Sequence, residues 1–251
     1  MMRVLKIGGN ELDDSNFLHV LAQSVAAQTD QVVIVHGGGK AISELQELFG
    51  LKPKLVEGLR VTDQQAMIVT EMALSGQVNK RIVRALLGAG LDAIGLSGVD
   101  RGLLRCQKLE HPTADLGWVG EIISVRVPVI AGLLAEGVTP VISPVSLGLD
   151  GNAYNVNADH AACAIADEIG AELLDFVSNV PGVEQDGKVI AQLSPKRAEA
   201  LISSGVINGG MLPKVHAALR AVDAGVQAVR IVNLEGIVHG VGTRFSINPL
   251  P

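Results

Sequence analysis

The chain has 251 residues, 48% of them hydrophobic, enough to bury one large core or two lobes built on a single sheet. Its formal charge of -6 comes with no Lys/Arg run, and only 2% of residues are aromatic, so duplex and single-stranded nucleic acids are not expected partners. No apolar stretch is long enough to span a bilayer, Lys6 and a glycine pair interrupt any amino-terminal signal pattern, and Cys106 and Cys163 lack ligand spacing; a cytoplasmic protein with buried, reduced thiols and no zinc site is expected.

Met2–Ile7 (MRVLKI) is the first predicted strand, ending in Gly8, Gly9 and Asn10. Gln31–His36 (QVVIVH) repeats that pattern and runs through Gly37, Gly38 and Gly39 into a helix beginning near Lys40. Leu55–Val61 (LVEGLRV) reads as an antiparallel hairpin. Asp63–Leu87 is the clearest helix: Met67, Leu74, Val78, Ile82 and Ala85 form one apolar stripe, and Asp63 stands at the N-cap. Ala93–Leu96 (AIGL) is a strand, Leu116–Val127 (LGWVGEIISVRV) a second hairpin, and Thr139–Ser143 (TPVIS) another strand. Tyr154–Ala162 (YNVNADHAA) carries two asparagines and an aspartate into a helix start. Leu173–Ser178 (LLDFVS) is a strand, and Glu184–Ile190 (EQDGKVI) a third hairpin on its Asp-Gly turn. Asn208–Lys214 (NGGMLPK) opens a helix with Pro213 in the first turn, where a missing N–H costs nothing, and Ala228–Val232 (AVRIV) is a last strand. The alternation predicts an α/β fold with a mostly parallel sheet covered on both faces. No linker, repeat or low-complexity segment divides it, so one domain is expected.

Two strands ending in glycines place backbone N–H groups beyond the carboxyl edge of a parallel sheet, where such sheets bind ligands. A Walker loop requires GxxxxGK[ST], which Gly37-Gly38-Gly39-Lys40-Ala41 does not supply; a dinucleotide fingerprint requires glycine where Ile42 stands. Lys6 within an apolar strand is expensive to desolvate, Lys214 points from a helix start, and Asp159 is a carboxylate able to hold both, although it also reads as a plain helix cap. Two lysines and an aspartate suit phosphoryl transfer, where cations neutralise the charge spreading over the moving group. A carboxylate acceptor needs no general base, so His36 reads as structural despite its place beside the glycines. His19, His111, His160, His216 and His239 show no functional pairing, and Trp118 reads as packing.

Taken in order, KIGGN, VIVHGGGK, EGLRVT, SGQVNKR, GWVGE, NVNADHAA, SNVPGV and GGMLPK resemble the amino acid kinase family, and within it the N-acetylglutamate kinases of arginine biosynthesis. The resemblance runs from Leu5 to about Ile231 and implies an open αβα sandwich around a sheet of about eight strands. It implies an acceptor-binding and dimerising lobe over residues 1–170 and an ATP-binding lobe over 171–251. Lys6 would touch the γ-phosphoryl and the attacking carboxylate, Lys214 the leaving β–γ bridge, and Asp159 would orient both. Gly8, Gly9, Gly38 and Gly39 would offer amides, Arg60 would grip the acceptor α-carboxylate in a fork, and Asn155 would bond the acetylamide. Asn179, Val180, Gly182, Val183, Asn208 and Gly210 would surround ATP, which carries magnesium.

The same resemblance implies a homodimer without arginine feedback, because the chain begins only just before its first strand. The stretch from RIVNLEGI to GVGTRF is shorter than the family pattern, and Asn179 stands where some members carry aspartate. Two alternatives stay open at this point. One is the related kinase acting on carrier-bound aminoadipate or glutamate, which SNVPGV and IGLSG also resemble; EGLRVTD and the lack of an inserted basic segment speak against it. The other is a non-catalytic amino acid or nucleotide sensor, which would have no use for Lys6, Asp159 and Lys214 together.

Overall fold

The computed structural model describes residues 1–9 and 11–246; Asn10, the last residue of the KIGGN block, lies outside them. The chain opens with β1 (Met2–Ile7), α1 (Ser15–Ala26), β2 (Gln31–His36) and α2 (Gly39–Leu48). A hairpin of β3 (Lys54–Val56) and β4 (Leu59–Val61) precedes α3 (Gln64–Glu71) and α4 (Asn79–Gly88). Next come β5 (Ala93–Ser97), β6 (Leu104–Lys108), β7 (Val119–Val125), α5 (Val127–Ala135) and β8 (Thr139–Ser143). β9 (Val145–Gly148), β10 (Ala153–Val156), α6 (Ala158–Glu168) and β11 (Leu173–Val177) follow. The last part holds β12 (Glu184–Gln185), β13 (Lys188–Val189), β14 (Gln192–Leu193), α7 (Pro195–Ser203) and α8 (Leu212–Asp223). It closes with β15 (Val229–Val232), α9 (Leu234–His239) and β16 (Thr243–Phe245).

Eight strands form one sheet in the order β14-β16-β15-β11-β1-β2-β8-β5, with β15–β16 its single antiparallel pairing among the described residues. The predicted strands supply its centre because Val, Ile and Leu runs bury both faces. On one face Val4, Val35, Phe176 and Ile231 pack against α5, α6 and α8; on the other Leu5, Ile34, Val141 and Val232 pack against α1, α4 and α9. Beneath the second face Asp175, fully buried, binds two guanidinium groups, Arg3 Nε at 2.6 Å and Arg230 Nε at 2.8 Å, so β1, β11 and β15 are also tied by charge. β1 lies between β2 and β11, where the chain's winding reverses direction, the place at which open α/β sheets form their crevice.

Two expectations need correction. Leu116–Val127 is not a hairpin: β7 is one strand, antiparallel to β6 and parallel to β10, and together with β9 they close a small barrel. Gly120 makes no turn; a Cβ there would lie 3.0 Å from Tyr154 Cβ and 3.1 Å from Cys106 Sγ, so it marks close packing. Trp118 packs nearby, its ring 5.3 Å from that of Tyr154 at 68°. The helix from Asp63 is continuous but not uniform. Asp63 caps it by accepting from Ala66 N at 2.8 Å, yet Met72–Val78 is π-helical between α3 and α4. The other two hairpins form as expected. Cys106 is buried and Cys163 half-buried, both are unpaired, and burial pushes each thiol up to about 12.

Candidate active site

β1 and β2 run side by side with Lys6 opposite Val35 and Ile7 opposite His36, so their glycine loops leave the sheet together. Gly37 N–H donates to the Ile7 carbonyl at 3.0 Å and continues the pairing for one more residue. A Cβ on Gly9 would lie 2.8 Å from the amide nitrogens of both Gly38 and Gly39, and one on Gly38 would run into Leu74 Cδ2 at 2.5 Å. A Cβ on Gly8 would meet only the carboxylate of Glu11, and one on Gly39 nothing within 4 Å. The missing side chains thus have two causes. Gly9 and Gly38 are demanded by the protein's own packing, while Gly39 faces open space. The N–H groups of Gly38 and Gly39 donate to no acceptor among the described residues.

Lys6 extends from β1 toward α6, and its Nζ lies 2.7 Å from Asp159 Oδ1, with the side chains 17% and 24% exposed. Asp159 is not the cap of α6. Asn157 is, accepting Asp159 N–H through its Oδ1 at 2.7 Å. The carboxylate is therefore free for Lys6, and because Oδ1 accepts no hydrogen bond of regular geometry the contact is Coulombic. Lys214 is half-buried in the first turn of α8, which packs on α6, but it forms no ion pair among the described residues. The expected tether from Asp159 to Lys214 is absent here, since only Lys6 comes within ion-pairing distance.

A cavity of about 400 Å³ opens beside the glycines, its wall including Gly37, Gly38, Gly39, Arg60, Asn155 and Ala158. Arg60, on β4, donates to Gln46 Oε1 at 2.7 Å, Ser43 Oγ at 2.8 Å and the Gly39 carbonyl at 3.0 Å. All three partners are neutral. No acid among the described residues pairs with this half-buried guanidinium, and burial lowers its pKa. Asn155 Nδ2 donates to Thr62 Oγ1 at 3.1 Å, leaving its carbonyl oxygen without a donor among the described residues. Chemically, the cavity offers a cation, an amide carbonyl and unused backbone N–H groups along one wall, which suits an anion bearing an N–H.

Sequence reasoning missed four polar residues of this wall: Glu110, His111, Asn157 and His160. His111 Nε2 lies 3.5 Å from Glu57 Oε2, joining the β6–β7 loop to the β3–β4 turn, and burial lowers the His160 pKa, with Arg220 adding to the effect. The N-cap at Asn157 was legible from its place before the helix; the histidine contacts were not, because their partners come from other elements. A second cavity of about 220 Å³ gathers Val180, Gly182, Val183 and Asn208 with Val206 and Met211. Asn179, Gly210 and Lys214 do not line it. Gly182 is needed for packing, since a Cβ there would strike Thr243, whose Oγ1 accepts Val183 N–H at 2.7 Å. Among the described residues no three His, Cys, Asp or Glu side chains stand together as a metal cluster, and no helix is long and apolar enough to cross a membrane.

The family model described as "Amino acid kinase family" matches residues 1–233. A protein named acetylglutamate kinase from Roseiflexus castenholzii is 55% identical over 238 residues, covering 94% of this chain and 92% of its own. One of the same name from Chloroflexus aurantiacus is 51% identical over 244 residues, covering 97% and 96%. Among solved structures, that of smu.665 from Streptococcus mutans UA159 superposes with a TM-score of 0.82 at 31% identity, covering 98% of this chain and 99% of that one.

Proposed function

The chain belongs to the amino acid kinase family, and from that premise we propose that it phosphorylates the side-chain carboxylate of N-acetyl-L-glutamate with ATP, giving N-acetyl-L-glutamyl 5-phosphate. Relatives at 50–55% identity over nearly the whole chain carry the name acetylglutamate kinase, which favours this acceptor over a carrier-bound one and a catalyst over a sensor. The observation that carries the reading is Arg60, a half-buried cation on the cavity wall whose partners among the described residues are three neutral groups and no acid. A buried charge without a counter-charge is costly, and the α-carboxylate of the acceptor would remove that cost.

The acceptor carboxylate is already an anion, so the barrier is its repulsion by the triphosphate rather than proton removal. Lys6 would lie against the transferred phosphoryl, its ammonium aimed by Asp159. The amides of Gly8, Gly9, Gly38 and Gly39 would receive its oxygens, and the Asn155 carbonyl would accept the acetylamide N–H. Lys214 would meet the β–γ bridge once ATP, with its magnesium, occupies the region of Val180, Gly182, Val183, Asn179, Asn208 and Gly210. Residues 1–170 and 171–251 would then act as acceptor and nucleotide lobes on one sheet.

The same reading extends to a cytoplasmic homodimer serving arginine biosynthesis. Leu48, Phe49, Ile68 and Met72, exposed around α2 and α3, supply apolar surface for a second copy, and light scattering that gave a monomer would remove the dimer from the proposal. Function is tested by ADP release with N-acetyl-L-glutamate, glutamate and aspartate as acceptors. Turnover confined to the acetylated acid supports the reading; none with any of the three overturns it.

A further inference from the structure

His36, the last residue of β2, is fully buried beside Gly37, and its two ring nitrogens have different partners. Nδ1 is 2.9 Å from the Gly37 carbonyl oxygen, and Nε2 is 3.2 Å from Asn79 Nδ2. The orientation of the Asn79 amide is determined by its surroundings. Its Oδ1 accepts from the Lys80 ammonium at 2.9 Å, which can only donate, and its Nδ2 faces the carbonyls of Val141 at 2.9 Å and Leu96 at 3.3 Å, which can only accept. The Gly37 carbonyl can only accept, so the ring proton resides on Nδ1 and donates to it; Nε2 keeps its lone pair and faces Asn79 Nδ2, whose two N–H groups are shared among Nε2 and the two carbonyls.

The Gly37 carbonyl and the Gly38 N–H belong to one planar trans peptide and point in opposite directions. Holding the carbonyl sets the direction of the N–H. That amide has no acceptor among the described residues and sits on the cavity wall. The other side of the same peptide is held by the π-helical stretch, whose Leu74 and Val78 would be 2.5 and 3.3 Å from a Cβ on Gly38. In an α-helix the residue five places after Leu74 lies about 140° around the axis. The wider π turn brings Asn79 back toward the face of Leu74 and Val78, so one segment delivers both the apolar wedge and the amide.

We propose that His36 and Asn79 are a positioning pair, in which Asn79 faces the unprotonated Nε2 of His36 and the Nδ1–H of the same ring locks the Gly37–Gly38 peptide so that the Gly38 amide faces the transferred phosphoryl. This rests on the kinase reading above and adds to it a residue that touches no substrate. Misaiming one amide in such a site costs turnover rather than binding.

Two measurements test the pair. Nitrogen-15 NMR of the wild-type chain at neutral pH, with His36 assigned by its loss in His36→Asn, is expected to show a neutral Nδ1–H imidazole; an Nε2–H tautomer or an imidazolium overturns the proposal. In kinetics, His36→Gln, which reaches only the Nε2 position, is expected to lower kcat by roughly ten- to a hundredfold with both KM values little changed. His36→Asn, whose short amide places N–H near the Nδ1 position, is expected to restore most of that loss. Equal loss in both variants, or losses that follow their melting temperatures, overturns the pair. Absence of wild-type turnover on N-acetyl-L-glutamate would instead overturn the functional reading, while the tautomer measurement would still decide the pair.

Discussion

Lys6 Nζ lies 2.7 Å from Asp159 Oδ1, joining the central strand β1 to the first turn of α6 above the carboxyl edge of the sheet. The two residues are far apart along the chain, and the parallel pairing of β1 with β11, the strand that follows α6, brings them together. An ammonium held in this way is aimed before substrate arrives, so no reorganisation is needed during transfer.

Removing either partner should therefore act on turnover. Lys6→Ala is expected to lower kcat roughly ten- to a thousandfold with a much smaller change in acceptor KM. Asp159→Asn, which keeps the shape and deletes the charge, should fall in the lower part of that range. Steady-state kinetics check both, and an unchanged kcat in Lys6→Ala would remove it from the catalytic group.

Arg60→Lys should separate binding from chemistry. The ammonium keeps the charge but loses the fork, together with the bonds to Gln46 and Ser43. Acceptor KM is expected to rise about tenfold, near 1.4 kcal/mol, with kcat nearly constant. A fall in kcat with unaltered KM would place Arg60 at the reacting atoms instead.

The glycines should divide by cause. Gly38→Ala is expected to destabilise by about 1–3 kcal/mol through collision with Leu74, and in a chain carrying Leu74→Ala as well the combined loss should be smaller than the sum of the two single losses. Gly39→Ala meets nothing within 4 Å and should leave unfolding unchanged, so any loss of activity there reports ligand space. Urea unfolding of the four variants beside their kinetics gives the comparison.

Stability should fall on mild acidification. Burial holds His36 down at about 4, against 6.5 when unfolded, so between these values the unfolded chain binds the extra proton and stability rises with pH. The contribution is fully present above pH 6.5 and is lost as pH falls toward 4, about 3 kcal/mol in all. His160, whose pKa is also lowered, adds in the same direction. His36→Asn should flatten the dependence measured by urea unfolding at a series of pH values; an unchanged slope would contradict the burial effect.

The sequence alone determined the central strands, the cap at Asp63, the two glycine junctions and the set of charged residues, because each follows from local periodicity, turn chemistry or the cost of placing charge in an apolar run. The family was legible for a related reason: its blocks keep their order along the chain. Tertiary structure decided what distance along the chain hides. Gly120 reads locally like a turn, yet it is a glycine because Tyr154 and Cys106 press on it from other strands. Asp159 reads locally like a cap, yet Asn157 takes that task and leaves the carboxylate to Lys6. The π turn, the His36–Asn79 contact and the neutral surroundings of Arg60 were likewise out of reach of the sequence. A residue's partner across the fold is set by sheet register and helix packing, and these depend on the whole chain at once.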